Sequence, residues 1–421
     1  MSAPQPLAGL RVIELTHMVM GPAAGLVLAD LGADVIKVEP PPEGDNTRRL
    51  TGSGSGFFAA FQRNRRSLCV DVKAPEGLSL VRRLLAEADV LVENFRPGAL
   101  ARLGLDPAEL RAANPRLVTC SCKGFLPGPY EHRTALDEVV QMMGGLAYMT
   151  GLPGRPLRAG SSVNDIMGGM FAAIGVLAAL RERERTGLGR HVEAGLFETT
   201  ALLMAQHMAQ TAITGEEPLP MSVRRPAWPV YDIFDTADGG RLFVGAVTEG
   251  QWVEFCRAFG LVALLENPEL ATRAGRVAAR ERTIPLIAAA LKRVTRDELV
   301  ARCEARGLPF APIGRPRDLL TDPHLSASGG LLPVTLPDGR QVPLPALPLA
   351  LDGERPGLRH DLPRVGQLSV EVARAAGLSE AEVAGLLARG VLLQGGSRAR
   401  GTGSVACHLP GFRLSLPPPP E

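Results

Sequence analysis

The feature that most constrains this chain is the alternation of short β-rich runs with helical patterns through its first 125 residues. Arg11 to Leu15 reads as a strand, a helix follows Pro22, and Asp34 to Glu39 reads as the next strand. A helix from Pro75 to Glu87, a strand from Asp89 to Glu93 and another from Leu117 to Ser121 continue the order. Strands separated by helices imply βαβ units, because parallel neighbours need a crossover connection, and hence an α/β fold around a parallel sheet. Gly32 as a C-terminal stop and Pro75 in a first helical turn agree with these boundaries.

At 421 residues the chain exceeds what one core ordinarily supports, so a large and a small lobe are expected. A shift to Pro, Arg and Met over Pro218 to Pro229 marks a crossing between them. Beyond it lie hairpin signals at Asp238-Gly239-Gly240 and Asp338-Gly339, with helices from Gln251 to Phe259 and Glu281 to Val294. From residue 393 the chain turns to glycine and then to the run Pro417 to Pro420, read as a disordered tail.

Net charge is +2, from 46 basic and 44 acidic residues mixed along the chain, so no nucleic-acid face is expected. The N-terminus lacks the basic-then-apolar order of a secretory signal. The most apolar stretch, Ile166 to Leu180, falls short of the ~20 residues a bilayer span needs, so no membrane is expected and the cytoplasm is the expected address. Six cysteines in a chain this long do not form a disulfide framework, and Cys120 and Cys122, on one face of a strand, read as small buried residues and not as a metal pair.

Three features bear on chemistry. The strand end and turn from Glu14 to Pro22 lies where open α/β sheets place ligand contacts, but Gly21 and Gly25 do not complete a dinucleotide fingerprint, which disfavours a nicotinamide dehydrogenase. His17 there admits both a structural and a ligand-contact reading. Arg48, Arg49, Arg63, Arg65, Arg66 and Lys73 form a basic group, read either as solvated surface or as a seat for phosphate, with Lys123 adding to the field. Asp165 stands in the first turn of the strong helix signal Asn164 to Glu184, preceded by Ala159, Gly160, Ser161 and Ser162. An acid at a helix start is often only a dipole partner. Here the apolar helix behind it and the small residues before it suit a nucleophile, expected to be ionised at neutral pH, with nearby backbone N–H groups to hold an oxyanion.

Taken together, these residues resemble the family III CoA-transferases, the group of formyl-CoA transferase, carnitine CoA-transferase and a 2-methylacyl-CoA racemase branch. The matching blocks are Leu10 through Glu39, Gly44-Asp45-Asn46-Thr47-Arg48, Asn64 to Leu68, Val92 to Gly98, Asn114-Pro115-Arg116, Asp165 and Arg185-Thr186-Gly187, then the Asp238-Gly239 and Asp322-Pro323 turns. The resemblance covers roughly residues 7 to 392.

The resemblance implies a Rossmann-like large domain over residues 1–215, completed by 340–392, a small domain over 216–339, and two chains interlocked as a homodimer. It implies an acyl-CoA and a small carboxylic acid as substrates, with CoA thioester as substrate and no separate cofactor or metal. Arg158, Arg224 and Arg225 read either as solvated surface or as a seat for a second carboxylate, which would suit a dicarboxylic acid such as succinate, with succinyl-CoA as a candidate donor. Asp165 matches the aspartate that forms the covalent intermediate. The matching CoA-contact positions are His17, Met18, Met20, Arg65, Arg66, Leu68, Asn94, Phe95, Arg102, Leu103 and Lys123. Pro40 stands where many members carry an arginine, for which Arg48 or Arg49 would have to substitute. No glycine run lies between Met204 and Tyr231, so formyl-CoA and oxalate specificity is not implied. The racemase branch uses a histidine beside an aspartate; the corresponding pair is Leu136-Asp137, with His132 as the nearby substitute. A racemase and a CoA-binding relative without turnover are the alternatives to a transferase.

Overall fold

The computed structural model describes residues 4–223 and 226–395. Its centre is a seven-stranded sheet formed by β1 (Arg11–Leu15), β2 (Asp34–Glu39), β3 (Arg65–Val70), β4 (Val90–Glu93), β5 (Val118–Lys123), β6 (His191–Gly195) and β12 (Leu392–Leu393). The spatial order is β12-β3-β2-β1-β4-β5-β6. All pairs are parallel except β12 with β3. The chain grows from β1 to one side and then restarts at β4 on the other, which places a topological switch point between these two strands.

Successive strand residues face opposite sides, so Ile13 and Leu91 join one core with Leu80 and Leu84, while Val12 and Val92 join another with Leu28, Ala172 and Val176. Both faces of the sheet are therefore covered, as a parallel sheet requires. Helix Met20–Asp30 and helix Val163–Thr186 pack together on the second face. Their closeness depends on small residues: a Cβ on Gly169 would come within 2.6 Å of the Met20 carbonyl oxygen and 3.0 Å of the Ala24 nitrogen. Helix Val163–Thr186 is long and apolar enough to cross a membrane by length and composition. Here it packs against β5, β6 and helix Met20–Asp30, and its end is tied down by Arg183, whose guanidinium lies 2.9 Å from Asp89.

A separate core gathers around the antiparallel hairpin of β7 (Val230–Asp235) and β8 (Arg241–Ala246), with β9 (Phe310–Pro312) on the outer side of β8. Phe234, Val244, Trp252, Phe255 and Leu299 fill it. The second hairpin forms as the Asp338-Gly339 signal predicts, between β10 (Leu331–Thr335) and β11 (Gln341–Pro345).

The chain then returns to the large sheet. Asn64 accepts from the backbone N–H of Arg359 at 2.6 Å and of His360 at 2.9 Å, helix Ser369–Ala375 packs on β3, and Leu393 pairs with Cys69. The return thus includes Leu393 and reaches Gly395, whose N–H donates to Gly366, so the expected disordered tail does not begin at 393. The rest of that tail lies outside the described residues.

β3 was not expected as a strand. Its first residues carry the charges that read as a basic cluster, and only Ser67 to Val70 has β character.

Candidate active site

At the switch point, the C-terminal ends of β1 and β4 are joined by one side chain. Asn94 accepts from the His17 backbone N–H at 3.0 Å and donates to the His17 carbonyl at 2.8 Å, imitating a strand pair where the strands have ended. The His17 ring stacks on Phe95 with centroids 5.9 Å apart. Met18 is exposed, takes a left-handed backbone with φ of 62°, and donates its N–H to the Thr47 hydroxyl at 2.9 Å. Burial lowers the pKa of His17; Asp45 offsets part of that and Lys37 adds to it. His17, Met18, Asn94 and Phe95 thus form one cluster at the switch point.

Met20 is buried, and it links this cluster to Asp165. A Cβ on Gly168, one turn along from Asp165, would lie 2.7 Å from the Met20 methyl group. Beyond Phe95, a cavity of about 280 Å³ is lined by Glu93, Phe95, Arg96, Arg111, Lys123 and His191. Lys123 is paired there with Glu193. Arg111 has its Nε buried without a protein partner, and burial raises the pKa of Glu93. Arg102 is exposed and Leu103 half-buried at the end of helix Ala99–Arg102, close by in the chain.

Three expected contacts are not in this cluster. The Arg65 side chain is fully buried, with its Nε 2.6 Å from Glu14 and one terminal nitrogen 2.6 Å from the Pro22 carbonyl. Gly25 leaves the room for this pair, since a Cβ there would meet the Glu14 carboxylate at 2.4 Å. Arg66 is bound to Asp34, the first residue of β2, at the sheet edge opposite the switch-point ends, and Leu68 is buried in the core. Both readings of the basic group fail for Arg63 as well, which is buried against Asp30 at 2.6 Å. Arg63 and Arg65 neutralise internal acids and are not available to phosphate, whereas Arg66 is held by the partly exposed Asp34 and Glu371. Arg48 does not replace the arginine missing at Pro40, because it forks onto Glu39 at 2.7 and 2.9 Å and lies over Phe58. Arg49 is held by Glu43 and Asn46. Arg224 and Arg225 lie outside the described residues.

Asp165 occupies the first turn of its helix, half-buried. Its pKa is pushed up to about 7, first by burial and then by the charge of Asp137, with Arg158 opposing. The expectation of a fully ionised carboxylate at neutral pH is therefore corrected: near pH 7 both forms are populated. The oxyanion expectation changes too, since the N–H groups of Asn164 and Asp165 already donate to Asp137 at 2.8 and 3.2 Å. The sequence reading did not give Asp137 this role, although its spacing of four from Gln141 placed the two on one helix face. Leu136 stands exposed at the racemase histidine's place, and His132 is an exposed residue 3.0 Å from Glu131.

The profile of CoA-transferase family III matches residues 7–369. Succinate–glutarate CoA-transferase of Agrobacterium fabrum is 34% identical over 379 residues, covering 87% of this chain and 94% of the relative. Succinyl-CoA–D-citramalate CoA-transferase of Chloroflexus aurantiacus is also 34% identical, covering 92% and 98%. Among solved structures, a CaiB/BaiF family protein from Brucella suis superposes with a TM-score of 0.78 at 34% identity, covering 89% of this chain and all of that one. With a doubly wound sheet, a cavity beside its switch point and these relatives over nearly the whole length, the chain belongs to CoA-transferase family III and is a CoA-transferring enzyme.

Proposed function

We propose that the protein moves coenzyme A from succinyl-CoA or a similar acyl-CoA to a short dicarboxylic acid, through covalent adducts on Asp165. The observation that carries this reading is the position of Asp165, a half-buried carboxyl on the helix that packs against the switch-point turn. The substrate class rests on the acids named for the relatives, succinate, glutarate and citramalate.

In the forward sequence the Asp165 carboxylate attacks the thioester carbonyl, the carbon–sulfur bond breaks, and the CoA thiolate leaves behind an acyl-aspartyl anhydride. The thiolate then attacks the aspartyl carbonyl, releasing the donor acid as its carboxylate and leaving an aspartyl-CoA thioester. The acceptor carboxylate displaces the thiolate to form a second anhydride, and the thiolate attacks the acceptor's acyl carbon, which regenerates Asp165. Each step exchanges one acyl bond for another, so no water, metal or redox partner enters the balance. His17, Met18, Asn94, Phe95, Arg102, Leu103 and Lys123 are the residues we assign to CoA, Phe95 by ring contact and Lys123 by charge.

The five cysteines among the described residues are buried and without disulfide partners, which suits a reducing cytoplasm. Exposed apolar side chains on one run of helices, Phe171, Ile174, Leu202, Met208 and Ile213, suit burial by a second copy in a homodimer.

The test is intact-protein mass spectrometry after brief mixing with succinyl-CoA, glutaryl-CoA or acetyl-CoA, comparing wild type with Asp165→Ala. An acyl or CoA adduct mapped to Asp165 and absent from the variant is expected. Solvent deuterium entering carbon 2 of a 2-methylacyl-CoA with no adduct would replace the transferase reading with a racemase.

A further inference from the structure

Helix Val163–Thr186 has no side-chain cap of its own, because Ser162 in the cap position makes no such bond. Its first turn is held from another element. One oxygen of Asp137, in helix Asp137–Met143, accepts the N–H groups of Asn164 and Asp165. The other accepts from Gln141 at 2.5 Å and faces Arg158 at 3.5 Å. Gln141 in turn accepts the Ala159 N–H at 2.8 Å, so this pair fixes both the approach to the helix and its start. Ser162, a residue type that ordinarily satisfies such donors without charge, makes no bond to them here. A buried carboxylate instead places a second negative group beside the reactive one.

We propose that Asp137 is a positioning residue for the reaction, fixing the first turn that carries Asp165 and opposing the negative charge of Asp165 with its own. The proposal rests on Asp165 being the nucleophile. Attack turns Asp165 from an anion into a neutral anhydride, so the repulsion present before attack is absent after it, and a more basic carboxylate is the stronger nucleophile. The raised pKa of Asp165 agrees with this arrangement. Arg158 limits the effect, its other terminal nitrogen reaching Glu138 at 3.8 Å.

The remaining charges on neighbouring elements are paired elsewhere, except Glu198, which has one backbone donor and one buried oxygen without a partner. Asp30, on helix Met20–Asp30, is bound by Arg63. Glu198, on helix Leu196–Leu203, accepts from the Leu126 N–H. On β5 and β6, Lys123, Glu193 and His191 hold one another.

The experiment compares wild type, Asp137→Asn, Asp137→Ala and Arg158→Gln, all full-length. Two readouts are taken against pH: the CoA-transfer rate, and the Asp165 carboxyl infrared band, obtained by difference from Asp165→Asn. The second does not depend on turnover. In wild type the band should titrate near pH 7. Asp137→Asn keeps an acceptor for the helix N–H groups but loses the charge, so its midpoint should fall by about one unit or more with a lower plateau rate. Arg158→Gln should move the midpoint up. Asp137→Ala should show the downward shift together with a lower melting temperature. An unchanged infrared midpoint in Asp137→Asn, with the rate reduced equally at all pH, would overturn the proposal and leave Asp137 a cap. Infrared shifts of the stated signs in a protein that forms no adduct would support the charge coupling of Asp137 to Asp165 but reject Asp165 as nucleophile, and with it the role of Asp137 in the reaction.

Discussion

The arginines separate into two kinds according to what their guanidiniums touch. Arg65 and Glu14 are wholly buried, and breaking such a pair leaves an uncompensated charge in the interior. Arg65→Ala should therefore lower stability by about 3–5 kcal/mol in urea unfolding, with KM for acyl-CoA unchanged in the folded fraction. Lys123→Ala should do the opposite, leaving stability close to wild type and raising KM about tenfold, the loss of one charge-assisted hydrogen bond of about 1.5 kcal/mol. Asp165 carries a stability cost of its own. Its pKa is raised from 3.8 to about 7, so the folded state binds this proton more tightly than the unfolded state, and stability falls as pH rises through that window. Asp165→Asn should melt higher than wild type above pH 7, and the difference should vanish below pH 4, as differential scanning fluorimetry across pH will measure.

Among the elements, the decisive contact is between helix Met20–Asp30 and helix Val163–Thr186, because it sets the turn that carries Asp165 against Met20 and the switch-point cluster. A Cβ on Gly169 meets backbone atoms that cannot swing away. Gly169→Ala should therefore cost about 1–3 kcal/mol and reduce adduct formation on Asp165. Gly250→Ala, with open space around it, should be neutral in the same melting assay. Strands with apolar runs, β1, β2, β4 and β5, were readable because burial on both faces selects such residues. β3 was not, since its opening arginines resemble surface until the acids that neutralise them, Glu14 and Asp34, are brought alongside by β1 and β2.

For the whole molecule, the large sheet is completed by a segment about 300 residues downstream of β3, through Ser369 onto Cys69 at 2.9 Å and through β12. Truncation after residue 364 should expose the β3 edge and yield insoluble or unfolded protein, measurable by solubility and circular dichroism. The exposed apolar helices call for a partner surface, with Ile213 84% accessible in the single chain. Light scattering should give a dimer mass for the wild type, and Met208→Glu with Ile213→Glu should reduce it or lower stability.

The sequence by itself determined the α/β class, both hairpins, the long helix and the family, because periodicity, turn residues and local motifs act over short stretches of chain. It also singled out Asp165, since residue type and helix position are local properties. Tertiary structure alone decided which arginines are internal, that Asp137 caps the Asp165 helix, and that Asp165 titrates near neutrality. Burial and charge pairing are sums over neighbours that lie far apart in the chain, and only the folded arrangement brings those neighbours together.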